Sequence, residues 1–341
     1  MKIGVVGASG YSGGELLRLL LNHPDFSIEY IAAGSQAGAR ITEVHPQLTP
    51  LATQRFEATE VARMNDCDLI FFALPHGESA RFIAQINPEI KVVDLGADFR
   101  LESAEAWEKY YGGVHAGAWV YGLPEIPGQR EKIAKSSRVA NPGCYATAIT
   151  VAAAPALAAN LIGSDDLVVV AASGTTGAGR KASTSLLASE IMGSLTSYKF
   201  GGVHQHTPEI EQMLATLSQN PVKISFTPIL APMPRGILAT VTGKLTKEFG
   251  TKEAQDLYEK FYENENYVSL LNDSLLPKTS AVIGSNSIQL QVAVDQHVNR
   301  LVISAAIDNL GKGAASQAIQ NANIMFGLAE GTGLSAAGIG S

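Results

Sequence analysis

The sequence predicts an α/β fold in which a doubly wound parallel sheet is followed by an α+β domain with a mixed or antiparallel sheet. Residues 2–6 form a short apolar run that leads through a glycine-rich turn at residues 7–13 into a helical pattern. This strand–turn–helix order is typical of a Rossmann-type domain. Further strand-like runs at residues 68–74 and 91–95 follow at the spacing of such a sheet. Residues 288–294 alternate strictly between apolar and polar side chains, as a half-buried strand does.

The composition excludes several classes of function. The chain has 341 residues, 46% of them hydrophobic, and a net charge of −7, which disfavours binding to nucleic acid. Its two cysteines, Cys67 and Cys144, are too few for a disulfide framework or a cysteine-rich zinc site, so we expect no metal and a reducing, cytoplasmic setting. The start of the chain lacks a signal-peptide pattern, and its longest apolar stretch, residues 149–162, is too short to span a membrane.

The glycine turn has the spacing G-x-x-G-x-x-G, a variant of the commoner G-x-G-x-x-G fingerprint. Glycines let the backbone approach a pyrophosphate, and the N-terminus of the following helix supplies a positive field. The alternative is a tight strand-to-helix turn without a ligand, since such turns also occur in proteins that bind no nucleotide. The predicted cofactor contacts in this turn are Gly7, Ser9, Gly10, Tyr11, Ser12 and Gly13.

The end of the second strand indicates which dinucleotide is bound. An NAD-binding domain usually places Asp or Glu here, whereas an NADP-binding domain favours a small polar residue and a nearby arginine. The chain has Ser35 at this point and Arg40 shortly after it, which predicts NADP. The alternative is that Arg40 is an ordinary solvated charge. Pro75, directly after the strand at residues 68–74, is a further predicted cofactor contact.

The segment N-P-G-C-Y-A-T at residues 141–147 places Cys144 where a Pro-Gly turn enters an alanine-rich, helix-prone segment. At a helix N-terminus, unpaired N–H groups and the macrodipole favour thiolate over thiol. Cys144 is therefore the predicted nucleophile. The alternative is a buried cysteine that packs as a small hydrophobe.

The segment H-Q-H-T-P-E-I at residues 204–210 supplies possible proton-transfer groups. His204 and His206 precede a predicted helix in which Thr207 is the N-cap and Pro208 the first helical residue. Histidine titrates near working pH, so either ring suits proton transfer, although each alone could be an ordinary hydrogen-bonded residue. Glu209 could orient a histidine or complement the helix N-terminus.

Five ordered motifs make the chain resemble the N-acetyl-γ-glutamyl-phosphate reductase family over its whole length. They are G-A-S-G-Y-S-G at residues 7–13, D-L-G-A-D-F-R at 94–100, N-P-G-C-Y-A-T at 141–147, S-G-T-T-G-A-G-R at 173–180 and H-Q-H-T-P-E-I at 204–210, with D-N-L-G-K-G at 308–313 after them. Gly96 stands where many members have serine. Aspartate-semialdehyde dehydrogenases share the architecture and the Cys/His chemistry.

The resemblance implies NADPH-dependent reduction of N-acetyl-glutamyl phosphate to the semialdehyde, with release of phosphate. Cys144 would form a thioester, and His206 or His204 would transfer protons. The Cys144 amide or the Asn141 side chain would stabilise the oxyanion. The first candidate for binding phosphate is Arg100, and the further candidates for phosphate or carboxylate are Arg180, Lys181 and Arg235.

In this family the C-terminal segment returns to the nucleotide domain, so Asn286, Asn309 and Gly313 are predicted near the nicotinamide. The implied domains are residues 1–143 with 310–341 for NADP, and residues 144–309 for catalysis and oligomerisation. The strand-rich second domain favours a homodimer or homotetramer. Two alternatives remain at this point: a reductase of another acyl phosphate, such as aspartyl or aminoadipyl phosphate, and an NADP-binding regulator without catalysis.

Overall fold

The computed structural model describes residues 1–272 and 274–340. In chain order the strands are β1 (Lys2–Val6), β2 (Ser27–Ala32), β3 (Leu69–Phe72), β4 (Lys91–Asp94), β5 (Val120–Tyr121), β6 (Arg138–Ala140), β7 (Leu167–Ser173), β8 (Thr196–Ser197), β9 (Ile224–Leu230), β10 (Ile237–Lys244), β11 (Val268–Leu270), β12 (Ile288–Asp295) and β13 (Arg300–Ile307). The α-helices are α1 (Tyr11–Leu20), α2 (Ile41–Val44), α3 (Val61–Met64), α4 (Ala80–Ile83), α5 (Ala104–Tyr110), α6 (Gln129–Ala134), α7 (Cys144–Ala158), α8 (Ala188–Ile191), α9 (His206–Ala215), α10 (Thr251–Phe261), α11 (Thr279–Val282) and α12 (Ser316–Met325). Short 3-10 turns occupy Thr49–Leu51, Thr175–Ala178 and Thr184–Leu186, and a π-helical turn occupies Gly311–Ala315.

The chain folds into two compact units. Unit 1 contains Met1–Pro142 and Ala314–Leu334. Unit 2 contains Gly143–Gly313 and the described residues from Ser335 onward. No helix in the described ranges is both long enough and apolar enough to cross a membrane.

Unit 1 is built on a six-stranded sheet in the order β2-β1-β3-β4-β6-β5, with every neighbouring pair parallel. Strands of a parallel sheet are buried on both faces, which explains their continuous apolar runs, such as the fully buried β3. From β1 the chain first adds β2 on one side and then crosses to add β3 and β4 on the other, so the switch point lies between β1 and β3. In doubly wound folds, ligands bind at the carboxyl ends of the strands at such a switch point.

Helix α12 completes the core of unit 1. Its Ala318, Ile319 and Ala322 pack in the same buried cluster as β1 and α1. Its buried polar side chains also have specific partners: Nδ2 of Asn321 donates to the Gly122 carbonyl oxygen at 2.9 Å. The chain therefore returns to the first unit after building most of the second.

Unit 2 contains a seven-stranded mixed sheet in the order β11-β12-β13-β10-β7-β9-β8. The β7–β9 and β11–β12 pairs are parallel and the others are antiparallel. Helices α7 and α10 pack on this sheet, while alternate side chains of β7 and β10, including Val168, Val170 and Leu238, are exposed. The predicted α/β class, with a parallel sheet followed by a mixed one, is confirmed.

Helix α7 runs through the centre of unit 2 despite a proline inside it. Pro155 has no N–H to donate to the carbonyl of Val151, four residues earlier. The Tyr262 hydroxyl donates to that carbonyl oxygen at 2.6 Å instead. Tyr258 makes the equivalent bond to the Ala152 carbonyl oxygen at 2.7 Å. Tyr258 lies in α10 and Tyr262 directly follows it. The two hydroxyl groups therefore fix α7, whose first residue is Cys144.

Candidate functional site

The glycine turn of unit 1 has the geometry of a dinucleotide-binding loop. Gly7 follows β1 with φ of +86°, and a Cβ there would lie 2.3 Å from the Ala73 carbonyl oxygen at the end of β3. A Cβ on Gly13 would lie 2.6 Å from the Gly7 carbonyl oxygen. Helix α1 begins at Tyr11 after the extended N-cap Gly10. The turn thus sits at the β1–β3 switch point, with a helix N-terminus suited to an anion.

His45 fixes this turn from a distance in sequence. Its Nε2 donates to the Ala8 carbonyl oxygen at 2.9 Å, and the ring is 3% exposed. The ring packs on Gly14 of α1, where a Cβ would lie only 2.4 Å from its Cε1 atom. Sequence reasoning missed this residue, because nothing in its neighbourhood links it to a turn 37 residues earlier.

The loop after β2 carries the two residues predicted to select NADP. Ser35 and Arg40 are both exposed, and the Arg40 amide donates to Oε2 of Glu43 at 3.1 Å. The Gly7 and Ala8 amides donate to the Ala32 carbonyl oxygen at 3.0 and 2.9 Å. The loop therefore leaves β2 directly beside the glycine turn.

The segment after β3 is held by two carboxyl groups. Asp98 accepts hydrogen bonds from the amides of Gly77, Ser79 and Ala80 at 2.6, 3.1 and 3.1 Å. The Ser79 hydroxyl lies 2.6 Å from Oδ2 of Asp94 and 2.9 Å from Oδ2 of Asp98. Burial raises the pKa of Asp94 to about 6. Pro75, a predicted cofactor contact, begins this segment. Sequence reasoning missed the hydrogen bonds to Asp94 and Asp98 that hold it.

The D-L-G-A-D-F-R motif turns Arg100 into the interior of unit 1, where it is 4% exposed. Its Nε donates to the Asn141 carbonyl oxygen and its Nη2 to the Leu95 carbonyl oxygen, each at 2.7 Å. Gly96, the departure from the family pattern, keeps its backbone donor, which bonds Oδ1 of Asp94 at 2.8 Å. Arg100 therefore braces the backbone that leads to the cysteine.

The Asn141 side chain is held on both sides within unit 1. Its Nδ2 donates to the Ala314 carbonyl oxygen at 3.1 Å, and its Oδ1 accepts from Nδ2 of Asn321 at 3.0 Å. One N–H of the Asn141 amide is thus engaged by the backbone that precedes α12.

Cys144 is the first residue of the 15-residue helix α7, directly after the extended N-cap Gly143. Its surroundings in unit 2 are tight: a Cβ on Gly313 would lie 2.7 Å from the Cys144 Cβ. The Gly143 amide donates to Oε1 of Glu209 at 2.7 Å, and Glu209 has no exposed surface. Only glycine fits at 313 without displacing the cysteine.

The two histidines differ in their surroundings. The His206 ring packs on the turn before the cysteine, since a Cβ on Gly143 would lie 2.4 Å from its Nε2. His204 is 5% exposed, and its Nδ1 accepts from the His206 amide at 3.1 Å. Burial, followed by the positive charges of His206 and Lys199, lowers the pKa of His204 to about 2.

The start of α9 differs from the sequence prediction. The helix begins at His206, after Gln205 in the right-handed helical region, so Thr207 is not the N-cap and Pro208 is the third helical residue. The physical reason is the His204 ring, which accepts the His206 amide in the way that a capping side chain would. Both histidines are thereby fixed to the helix entrance.

The loop before β10 and the loops after β7 and β13 meet at one end of these three central strands. Their registers align Ile237 with both Ser173 and Ile307. Asn309 ties the loops together: its Oδ1 accepts from the Gly236 amide at 2.7 Å and its Nδ2 donates to Oγ1 of Thr176 at 3.0 Å.

Arg235, at the same end, is bound by a buried acid. Its Nε and Nη2 donate to Oδ1 and Oδ2 of Asp308 at 3.0 and 2.5 Å, and Asp308 has no exposed surface. The remaining predicted residues of unit 2 differ in exposure. Asn286 is 1% exposed, and its backbone N–H donates to the Ser335 carbonyl oxygen at 2.8 Å. Arg180 and Lys181 are exposed.

Comparison with known proteins identifies the family. Residues 2–136 match the family model "Semialdehyde dehydrogenase, NAD binding domain", and residues 144–309 match "Semialdehyde dehydrogenase, dimerisation domain". The N-acetyl-gamma-glutamyl-phosphate reductase of Acidothermus cellulolyticus is 55% identical over 99% of this chain and 98% of that protein. The protein of that name from Salinispora tropica is 53% identical over 99% of both chains. The chain belongs to the N-acetyl-γ-glutamyl-phosphate reductase family. The resemblance inferred from the motifs is confirmed, and this family member is an oxidoreductase with a nicotinamide dinucleotide cofactor.

Solved structures show how far the fold of this reductase family extends. Aspartate semialdehyde dehydrogenase II of Vibrio cholerae, solved with ASA, has a TM-score of 0.71 and 14% identity, covering 95% of this chain and 98% of that chain. The Candida albicans enzyme, solved with NADP, has a TM-score of 0.69 and 15% identity over the same shares. At these identities the likeness concerns the fold alone.

Proposed function

We propose that the chain reduces N-acetyl-γ-glutamyl phosphate to N-acetyl-glutamate semialdehyde with release of phosphate, NADPH being the reductant and Cys144 the nucleophile. The observation that carries the proposal is the position of Cys144 at the first residue of a long helix, beside a buried carboxyl group and an imidazole that both contact Gly143. The names of the close relatives support the substrate.

The surroundings of Cys144 favour a reactive thiolate. The N-terminus of α7 is the positive end of its dipole, and unpaired N–H groups there stabilise negative charge. Cys67 provides the contrast within the same chain, because burial raises the pKa of its thiol to about 11. In the first step the Cys144 sulfur bonds to the acyl carbon, the carbon–oxygen bond to phosphate breaks, and phosphate leaves with that electron pair.

His206 is the proposed proton-transfer group, because its ring lies against the turn before Cys144. It accepts the thiol proton and passes it to the leaving phosphate. His204 instead is proposed as a positioning residue. Its lowered pKa keeps it neutral at working pH, and its Nδ1 holds the His206 backbone. Once the thioester carbonyl is reduced, the oxyanion collapses, the carbon–sulfur bond breaks, and aldehyde and thiolate separate.

The cofactor is proposed to bind at the turn of unit 1. Support comes from the close backbone packing there, since Gly7 and Gly13 lie against the Ala73 and Gly7 carbonyl oxygens and leave no room for a Cβ, as a tight dinucleotide-binding turn requires. When bound, NADPH supplies a hydride, two electrons and one hydrogen nucleus, to the thioester carbonyl. Ser35 and Arg40 are proposed to bind its 2′-phosphate. The other proposed cofactor contacts are Ser9, Gly10, Tyr11, Ser12, Pro75, Asn286, Asn309 and Gly313.

The oxyanion and the anionic groups of the substrate need separate partners. The Cys144 amide at the helix N-terminus is the first proposed oxyanion donor, with the remaining N–H of Asn141 as the second. Arg180 and Lys181 are proposed to bind phosphate or carboxylate. Arg100, the first candidate from the sequence, is better suited to bracing the backbone before Cys144, because it is 4% exposed and donates to the Asn141 and Leu95 carbonyl oxygens. Arg235 is better suited to bracing the loops at the end of the central strands, because Asp308 already binds its guanidinium group on two nitrogens.

Unit 2 is also the proposed site of self-association. The matched dimerisation domain covers most of it. Val170 is 42% exposed on the sheet face that alternates with the buried side chains of β7. A second copy that packs on this face would bury these apolar side chains. We propose a homodimer or homotetramer, with unit 1 binding cofactor and unit 2 carrying the nucleophile.

The deciding assay is phosphate-dependent reduction of NADP with N-acetyl-glutamate semialdehyde, run beside aspartate semialdehyde. We expect turnover only with the first aldehyde, and preference for the second would refute the substrate. Cys144→Ser should abolish turnover, whereas Cys67→Ser should retain it. Full activity of the Cys144 variant would refute the mechanism.

A further inference from the structure

Arg40 and Arg55 lie directly opposite each other in a short antiparallel bridge of unit 1. The backbone bonds flank the pair instead of joining it, and on one side the Ile41 amide donates to the Gln54 carbonyl oxygen at 3.1 Å. The two arginines therefore form a non-hydrogen-bonded pair, the arrangement that brings opposed side chains closest, with Cα atoms about 4.5 Å apart.

This arrangement leaves two positive charges without a balancing carboxylate. Like charges directly opposite each other destabilise a strand pair. Both side chains are exposed, and neither forms an ion pair with any residue that the structure describes. Arg55 donates from Nη1 to the Gly38 carbonyl oxygen at 2.6 Å. Two acids of this region bond to other groups: Glu43 accepts from the Arg40 backbone amide, and Glu57 pairs with Arg63.

The pair also lies beside the loop at residues 34–39, which follows β2. The amide of Gly38 in this loop donates to the Phe56 carbonyl oxygen at 2.8 Å, so the segment that carries Arg55 is bonded to the loop itself. A Cβ on Gly34 would meet no atom within 4 Å, which leaves the loop surface open. The ribose next to the adenine is recognised at the end of the second strand in dinucleotide-binding domains.

We propose that Arg55 is a second specificity-determining residue for the 2′-phosphate of NADPH, acting with Arg40. A phosphate monoester carries up to two negative charges and three acceptor oxygens, which matches two guanidinium groups. Binding it removes the repulsion between the opposed arginines. NADH has only a ribose hydroxyl at this position, so the two arginines do not increase its affinity. This inference rests on the NADP preference proposed above.

The test compares dissociation constants of NADPH and NADH, measured by cofactor fluorescence, for the wild type and for Arg40→Gln, Arg55→Gln and the double variant. Glutamine keeps a donor for the Gly38 carbonyl oxygen but removes the charge. The matched control is Lys135→Ala, which removes an exposed charge just before β6, on the far side of the sheet from β2. Thermal unfolding of each variant checks that the unit is intact.

We expect Arg55→Gln to weaken NADPH about tenfold or more, with NADH changed less than about twofold and Lys135→Ala without effect on either. An equal loss for both cofactors would show that Arg55 only braces the loop. No loss for either would remove Arg55 from the site while leaving the wild-type preference intact. A wild type that binds NADH as tightly as NADPH would refute the cofactor choice itself, and this inference with it.

Discussion

The Gly143 amide donates a 2.7 Å hydrogen bond to Glu209, a residue of α9 with no exposed surface. This bond joins the N-cap of the cysteine helix to the helix that begins at His206. The turn before the nucleophile and the position of the imidazole therefore depend on one carboxyl group.

Replacing Glu209 should affect stability and activity together. Glu209→Ala leaves the buried Gly143 amide without its acceptor, which costs about 1–3 kcal/mol in free energy of unfolding. Glu209→Gln keeps an acceptor oxygen and should recover most of that stability. Urea denaturation measures the difference, and kcat should follow the same order. Equal stability of the alanine and glutamine variants would contradict the importance of this bond.

Substitution should distinguish the roles of His204 and His206. His206→Asn is expected to lower kcat by about 10²–10⁴-fold, the usual contribution of a general acid–base group. His204→Asn can still accept the His206 amide, so we expect a much smaller loss. The control is His297→Asn, an exposed histidine of unit 2 that should leave kcat unchanged. Equal losses in the His204 and His206 variants would contradict these separate roles.

His204 should also give the chain an acid-sensitive stability. Because burial lowers its pKa from 6.5 to about 2 in the folded chain, the unfolded chain binds more protons between these values. The contribution of His204 to the free energy of unfolding therefore falls as the pH drops below about 6.5. NMR of the ring should show a neutral imidazole at pH 5. A ring that titrates near pH 6.5 would be inconsistent with this burial.

Asp94 should produce the opposite dependence on pH. Its pKa is raised from 3.8 to about 6 by burial, so the folded chain binds more protons between these values. The free energy of unfolding should therefore decline as the pH rises from about 4 to 6 and stay lower above that. Asp94→Asn mimics the protonated group, because its amide can donate to Ser79 and accept from Gly96. We expect denaturation of this variant to lack that decline, whereas Asp66→Asn, on an exposed ion pair, should retain it.

A methyl group at residue 313 should displace the nucleophile. Gly313→Ala puts a Cβ 2.7 Å from the Cys144 Cβ, and misplacement of a reacting group by about 1 Å can lower the rate about 100-fold. Gly163→Ala is the matched control, because its nearest contact would be an ordinary 3.6 Å. The kcat of each variant and its alkylation rate at Cys144 are the measurements. Wild-type values for Gly313→Ala would show that the cysteine has room to move.

Features set by a few adjacent residues could be predicted from the sequence. The glycine turn and the cysteine at a helix entrance are of this kind, since glycine, proline and the apolar pattern that follows determine the local backbone. The α/β class follows from the same patterns. The family followed from the resemblance of several ordered motifs and not from any single one.

Contacts between distant residues could not be predicted in the same way. His45 bonds to a turn 37 residues away, and Arg235 pairs with Asp308 across 73 residues. A basic residue in a polar loop looks the same in sequence whether it faces a substrate or a buried acid. The start of α9 was misplaced for a related reason, because a histidine ring took the role that Thr207 was expected to play.

The return of α12 to unit 1 has a consequence for biosynthesis. The residues up to Pro142 leave the ribosome first, but the helix that fills their core is translated only after Gly143–Gly313 of unit 2. Domains usually fold in the order in which they emerge. Here the first segment of unit 1 keeps an open apolar surface until α12 is made.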